Sequence, residues 1–337
     1  MLVEINQLKL ALCDLLKKQE IPEEEASCVV DSLIEAELRG VHEQGVMRIK
    51  QLLSGLQNGT IRPKKSVQII KANECVYCID ANHSIGPGIA CEVMDLVISK
   101  SKVVGVAVGS VINASHIGSL HYYVKRAVDH KCIAIGCTVS SPAVCLPGGR
   151  DRVFGTNPIA YAIPARGTPV IADFSTSMVS RGKVLGKLAA GENVPADWIV
   201  NSAGKMSMNP QDLLEGGALL PFSKNYKASL ISLLISVLAG PMIGGVNNFL
   251  VRGTRDMSKL PNKGDLFLVF HIPHFTSMEV FLNKMDELKK FMESVESSFH
   301  IPNTNSVEVY ERNLMSGVIK IDKDIADMLN KGDMAHV

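Results

Sequence analysis

Up to about residue 60, apolar positions recur at spacings of three and four, and the pattern predicts helices. "MLVEINQLKLALCDLLKKQE" carries acids among its apolar residues and reads as an amphipathic helix. In "IPEEEASCVVDSLIEAELRGVHEQGVMRIKQLLSGLQNG", Pro stands at a first turn, acids follow it, and Gly falls near the stops. From about residue 66 the texture changes to short runs separated by Gly, Pro and Asn: "SVQIIKA", "CVYCID", "VVGVAVGSVI", "CIAIGCTVS", "IAYAIP" and "PVIADFS". These read as strands. Helical stretches, "GIACEVMDLVISKSK" and "LHYYVKRAVDH", lie between several of them, which predicts an α/β fold with helices packed on a sheet. A polar loop is expected from about 191 to 225. The uncharged stretch from Ala228 to Val251 is interrupted by Ser229, Ser232, Ser236, Pro241, Asn247 and Asn248, so it reads as a helix buried on all sides rather than a membrane span. "DLFLVFHIPHF" reads as one more strand, and the last sixty or so residues return to helical patterns. Three stretches follow from this: a helical segment over 1–65, an α/β core over 66–250, and a strand with helices over 251–337 that packs back on the core.

Charge changes the picture by exclusion. The chain has 35 Lys and Arg against 34 Asp and Glu, so it lacks the positive field that draws nucleic acid or anionic membrane without sequence preference. A small molecule is the expected partner. The N-terminus lacks the uninterrupted apolar stretch of a signal peptide, which points to the cytoplasm. Eight cysteines are scattered through mostly apolar runs and imply no disulfide framework. Cys75 and Cys78 have redox or zinc spacing, but no second such pair follows, and no metal site is expected. "GPGIAC" at 86–91 lacks the third glycine of a dinucleotide fingerprint, and no Walker loop is present. An ordinary Rossmann or nucleotide-triphosphate enzyme is therefore disfavoured.

Several residues could carry chemistry. His116, in "NASHIG", falls between a strand and a helix, where it either caps the strand end or faces a ligand. Arg39 and Arg48 lie on a largely helical segment, where one could hold a carboxylate with its planar fork or both could be solvated. "TVSSPAVCLPGG", "FGTNPIAYAIP" and "DFSTSMVSRGK" offer hydroxyls, tight turns and cations that suit a pyrophosphate or amide.

Taken in order, "RGVHEQGVMR", "NASHIG", "SSPAVCLPGG", "FGTNPIAYAIP", "DFSTSMVSRGKV", "GENVPADWIVNSAGKMSMNP" and "ALLPFSKNYKASLISLLISVLAG" resemble the malate/L-lactate dehydrogenase family over nearly the whole chain. That resemblance implies a non-Rossmann α/β fold, a homodimer, NAD or NADP as cofactor, and hydride transfer to or from a small 2-hydroxy acid, 2-oxo acid or cyclic imino acid. It places the acid/base on His116 and the carboxylate ligand on Arg48. Cofactor contacts fall on Ser140, Pro142, Asp173, Phe174, Ser175, Thr176, Lys183 and Lys227. Where the family writes "D-S-H-G" the chain has "HEQG", so Gln44 stands in the place of a site histidine and Glu43 in that of a serine. The family's "K-G-x-G-L" becomes "KASLI", its "A-I-D-P" becomes "FHIP" and its "P-G-E" becomes "PNT". Those departures leave a second reading, a catalytically weakened homologue that binds a dinucleotide or serves a structural role.

Overall fold

The computed structural model describes residues 1–295 and 304–331; Pro302 and Asn303 of the "PNT" segment lie outside them. Seven strands make the central sheet: β1 (Gln68–Ala72), β2 (Val76–Asp80), β3 (Val106–Ile112), β4 (Cys132–Thr138), β5 (Ile159–Ile163), β6 (Val170–Phe174) and β7 (Gly264–His271). Their spatial order is β1-β2-β3-β7-β4-β5-β6. Only β2 and β3 run parallel, joined by the crossover helix α4 introduced below; every other neighbouring pair is antiparallel. The six runs expected between 66 and 175 thus all appear as strands. The seventh, from late in the sequence, lies in the middle, with Gly264 opposite Ile112 and His271 opposite Cys132.

Period-two alternation explains how one strand serves two cores. On β7, Phe267 and Val269 face one side of the sheet, while Leu266 and Leu268 face the other. Before the sheet come the helices α1 (Ile5–Lys17), α2 (Glu23–Leu38) and α3 (Arg48–Gln57). α4 (Gly86–Val104) packs Val93, Met94 and Val97 over the Phe267 face. The approach is close because Gly109 has no side chain: a Cβ there would lie 2.4 Å from Val97 and 2.5 Å from Val93. α5 (Arg181–Ala189) and α6 (Lys227–Leu238) follow, and α6 covers the Leu266 face through Ile235, with Ala239 and Ile243 just beyond it. A separate apolar cluster holds α1, α2 and α3 together and is closed by Ile319, Ile321 and Ile325. Leu2–Glu4 and Val318–Lys320 pair antiparallel at its edge.

Two expectations need correction. The stretch 191–225 is not only loop: Ile199–Val200, Met206–Ser207 and Ala218–Leu219 join Val144–Cys145 and Arg152–Phe154 in a second, five-stranded sheet. Its strands are two or three residues long, too short to show alternation. α6 is not buried on all sides either. Its serines point inward, with Ser236 Oγ donating to Ser232 O at 2.7 Å and Asn157 Nδ2 donating to Ser236 Oγ at 3.0 Å. Leu230, Leu233, Leu234 and Val237 are each about half exposed in the single chain. Hydrogen bonding to buried Asn157 and Asn248 overrides the usual inside-out polarity here. No helix among the described residues is long and apolar enough to cross a membrane.

Candidate active site

The C-terminal ends of β3 and β4 meet the start of β7 at one end of the central sheet, and a crevice opens there. It encloses about 670 Å³, its open mouth included. Separate segments build its wall. His116 comes from the loop after β3, Gln44 from the turn between α2 and α3, and Arg48 from the first residue of α3. Ser140 and Ser141 follow β4, Arg181 begins α5, and Thr254, Arg255 and Lys263 precede β7. An adjoining apolar chamber of about 460 Å³ shares Arg48, His116 and Gly118 and is lined by Leu33, Ile49, Leu52 and Met257.

His116 accepts a hydrogen bond within its own loop and lines the crevice, instead of capping the end of β3. The Gly118 N–H donates to His116 Nδ1 at 3.0 Å, and the neutral ring therefore carries its proton on Nε2. Its neighbours are pinned. Ser115 Oγ accepts from the Gly86 N–H at 2.8 Å, and Ile117 O accepts from the Tyr123 hydroxyl. Burial, then the charges of Arg48, Lys263 and Arg255, hold the imidazole well below the usual histidine range. The resting ring is neutral.

The turn bearing Gln44 is held from beneath by a buried carboxylate. Glu37 accepts from the Val46 N–H at 2.8 Å and pairs with His42 Nδ1 at 2.5 Å. A Cβ at Gly45 would lie 2.2 Å from Glu37 Oε1, so a side chain there would push the carboxylate aside. His42 turns toward a different cavity with Glu37, Met47 and Lys320, which leaves Gln44 to the crevice. Gln44 Oε1 is buried and finds no hydrogen-bond partner among the described residues. Arg48 Nε donates to Glu43 O at 2.7 Å and Nη1 to Gln51 Oε1 at 2.9 Å, while Gln51 Nε2 donates to Thr254 O at 2.6 Å. Arg39 does not join it: Nη1 donates to His121 Nε2 and Nη2 to Ser306 Oγ, away from the crevice.

Three cations of the wall carried little or no sequence signal. Arg181 was visible only as one polar residue of "DFSTSMVSRGK", and its buried Nε also finds no partner among the described residues. Lys263, 2% exposed, pairs with both oxygens of Asp265, which is fully buried. Arg255 is exposed as a residue and lines the crevice. Desolvation, with Arg48 and Arg181 alongside, pushes it down to about 9. Thr254 Oγ1 bonds Ser141 Oγ at 2.6 Å.

Among the expected cofactor contacts, Ser140 lies in the crevice, where its Oγ accepts from the Thr156 N–H at 3.0 Å. Pro142 is half-buried beside it in sequence but is not part of the wall. The Asp173 carboxylate accepts from Ser119 Oγ at 2.6 Å and the His121 N–H at 3.0 Å, tying β6 to the loop beyond His116. Phe174 is exposed, Ser175 Oγ bonds Ser177 Oγ at 3.0 Å, and Thr176 is buried with its Oγ1 donating to Thr156 O at 3.0 Å. Lys183 and Lys227 are exposed in the first turns of α5 and α6. Of these residues only Ser140 lines the crevice.

Residues 3–330 match the profile of the malate/L-lactate dehydrogenase family. A malate dehydrogenase of Pyrococcus abyssi is 32% identical over 330 residues, covering 94% of this chain and 90% of that one. The structure of sulfolactate dehydrogenase from Methanocaldococcus jannaschii superposes with a TM-score of 0.90 at 31% identity, over 98% of this chain and 96% of the other. That of Δ1-piperideine-2-carboxylate reductase from Pseudomonas syringae pv. tomato gives 0.89 at 25% identity, over 99% and 100%. On the matched profile and these full-length likenesses, the chain belongs to the malate/L-lactate dehydrogenase family.

Proposed function

We propose that this chain moves a hydride between a nicotinamide cofactor and a small 2-oxo or 2-hydroxy acid, or a cyclic imino acid, with His116 as acid/base and Arg48 as carboxylate anchor. The family is one of NAD(P)-dependent dehydrogenases and reductases, and the observation that carries the reading is the placement of His116 and Arg48 on one crevice wall. The residues present fit the cofactor. Gln44 Oε1 is a buried acceptor in need of a ligand N–H, which a carboxamide offers, and the hydroxyls of Ser140, Ser141 and Thr156 share the same wall. When bound, the reduced nicotinamide supplies the hydride.

The protein's own residues supply position and proton. A guanidinium fork at Arg48 fixes the carboxylate and with it the face of the reacting carbon. The anion also offsets the cationic field that holds His116 neutral. Taking up a second proton requires Nδ1 to release the Gly118 N–H, so the ring becomes charged when an anion sits beside it and stays neutral otherwise. The imidazolium then passes a proton to the oxygen or nitrogen on which charge develops. Gln44, which cannot titrate, leaves His116 as the only histidine on this wall among the described residues.

The test is to follow reduced-nicotinamide absorbance with NADH and with NADPH while offering pyruvate, oxaloacetate, oxoglutarate, sulfopyruvate and piperideine carboxylate. Turnover of one or more is expected; none with any, alongside stabilisation by reduced cofactor, would leave a binding protein instead. Arg48→Gln is expected to raise KM for the acid by about 10- to 100-fold, the worth of a charge-assisted hydrogen bond. An unchanged KM in that variant would remove Arg48 from the site.

The same reading includes a homodimer. The half-exposed leucines of α6, with Phe249 and Met242 nearby in sequence and also exposed, form an apolar surface suited to a second copy of the chain. Leu233→Asp is expected to give a monomer in light scattering at concentrations where the parent is dimeric. A parent that is monomeric at every concentration would refute this part.

A further inference from the structure

We propose that Cys28 and Cys91 are a modification site, a dithiol that a hydroperoxide converts to a disulfide, and that the bond draws α2 onto α4 and narrows the apolar chamber beside His116. The effect on the chamber rests on the crevice being the active site; the bond itself does not.

The two helices already meet at the spacing such a bond needs. A Cβ placed on Gly88 of α4 would lie 3.9 Å from Glu25 Cβ of α2, and disulfides join Cβ atoms about 3.5–4.5 Å apart. Cys28 and Cys91 each stand three residues further along these helices, which keeps them on the same faces. Their thiols lie within hydrogen-bonding reach of each other. Other cysteines turn to oxygen instead: Cys132 Sγ donates to His130 O at 3.2 Å and Cys145 Sγ to Leu219 O at 3.5 Å.

The pair is asymmetric in the way a reactive dithiol requires. Cys28 is half-buried, so a small oxidant reaches it, whereas Cys91 is buried. A hydrogen bond from the Cys91 thiol, with the Arg126 charge nearby, holds Cys28 below the usual thiol range. The same hydrogen bond, then burial, pushes Cys91 up. The Cys28 thiolate attacks the outer peroxide oxygen and the O–O bond breaks, leaving a sulfenic acid; the departing oxygen takes a proton and leaves as water or alcohol. Cys91 Sγ then attacks Cys28 Sγ, the S–O bond breaks, and the hydroxyl leaves as water with the Cys91 proton. Two electrons pass from the thiols to the peroxide. Oxidising Cys28 also removes the thiolate that kept Cys91 protonated, while Arg126 remains to favour the Cys91 anion.

The helices being joined are walls of the site. Val29 and Leu33 of α2 and Pro87 of α4 line the apolar chamber, which shares Arg48 and His116 with the crevice. Bringing two thiols from contact to a bond of about 2 Å draws these walls together. The Gly86 N–H that begins α4 is bonded to Ser115 Oγ, so the shift reaches the loop that carries His116.

The full chain would be reduced, freed of reductant, titrated with hydrogen peroxide at neutral pH, blocked with a thiol reagent and read by peptide mass. A crosslink between residues 28 and 91 is expected, about 2 Da lighter than the dithiol and reversed by dithiothreitol. Cys91→Ser should instead leave a sulfenic acid at Cys28 that dimedone traps. Reduced-nicotinamide turnover should fall at least about 10-fold on oxidation and return with dithiothreitol, whereas Cys28→Ser should keep parent turnover through the same treatment. Absence of the crosslink, or an equal loss of turnover in Cys28→Ser, overturns the proposal; a crosslink without any change in turnover overturns the effect on the chamber. Should no acid turn over, the proposed function fails on its own. The bond is then judged by mass, and its effect on the chamber by the melting-temperature rise that reduced cofactor gives: a smaller rise after oxidation upholds it, and an equal one overturns it.

Discussion

Replacing His116 by alanine is expected to lower kcat/KM for reduction by at least about 100-fold, the contribution of a positioned general acid. Two features already described make this the largest kinetic effect. The ring is held by the Gly118 N–H, and its flanking residues are anchored to α4 and to Tyr123, so the imidazole is fixed in place at the crevice. It is also the only histidine of the crevice wall among the described residues. A pH signature accompanies the loss. Because burial and the surrounding cations hold His116 well below the usual value in the free protein, and reduction needs the protonated ring, kcat/KM for reduction should climb as pH falls through 7 and keep climbing below 6.5. For kcat, which reports the loaded site, the same limb should move to higher pH, since bound anion favours the imidazolium. His116→Ala should abolish both limbs, and turnover that persists with an unaltered profile would move the proton donor elsewhere.

Asp265→Asn is expected to cost about 3–5 kcal/mol of folding stability, the usual result of leaving one member of a buried pair unmatched. Set against a total of about 5–15 kcal/mol for a folded domain, this is a large fraction. Asp265 is fully buried and Lys263 nearly so, so the orphaned ammonium would have little contact with water. Burial already pulls Lys263 below its ordinary value, with Asp265 opposing that pull. Without the carboxylate the folded-state value drops further below the unfolded one, so folding releases a proton and the deficit should narrow as pH rises toward the ordinary lysine range. Denaturant midpoints across pH measure this. The double substitution Lys263→Met with Asp265→Leu should recover most of the loss, because a matched apolar pair carries no desolvation cost. A single variant as stable as the parent would mean that the pair is not sealed from water.

The strands between 66 and 175 were legible because each is a run of β-branched and small residues bounded by turn formers, whereas His116 alone was ambiguous, since a histidine at a strand's end can simply cap it, and only the ordered set of motifs around it gave it a chemical reading. Order within the sheet was not legible. Nothing in "DLFLVFHIPHF" says that it belongs between β3 and β4, since antiparallel insertion depends on neighbours far away in the chain. α6 misled because its serines serve buried Asn157 and Asn248, so hydropathy pointed the helix the wrong way round. Arg255 and Lys263 escaped because "VRGTRDMSKLPNK" has no periodicity, and only folding brings its cations to the histidine. Gln44 is the converse case: visible as a departure from a motif, it acquires meaning once the buried oxygen is seen to lack a partner.

The late position of β7 also governs how the molecule can come into being. Until its residues leave the ribosome, β3 and β4 each present a row of unsatisfied backbone groups along the edge that β7 will occupy, which is the geometry that invites strand-to-strand association between nascent chains. The N-terminal helices wait longer still, for Ile319, Ile321 and Ile325 to close their cluster. Folding is therefore dominated by contacts distant in sequence and is expected to be slow and chaperone-dependent, and a chain that terminates before residue 264 would be a target for proteolysis rather than a smaller working enzyme.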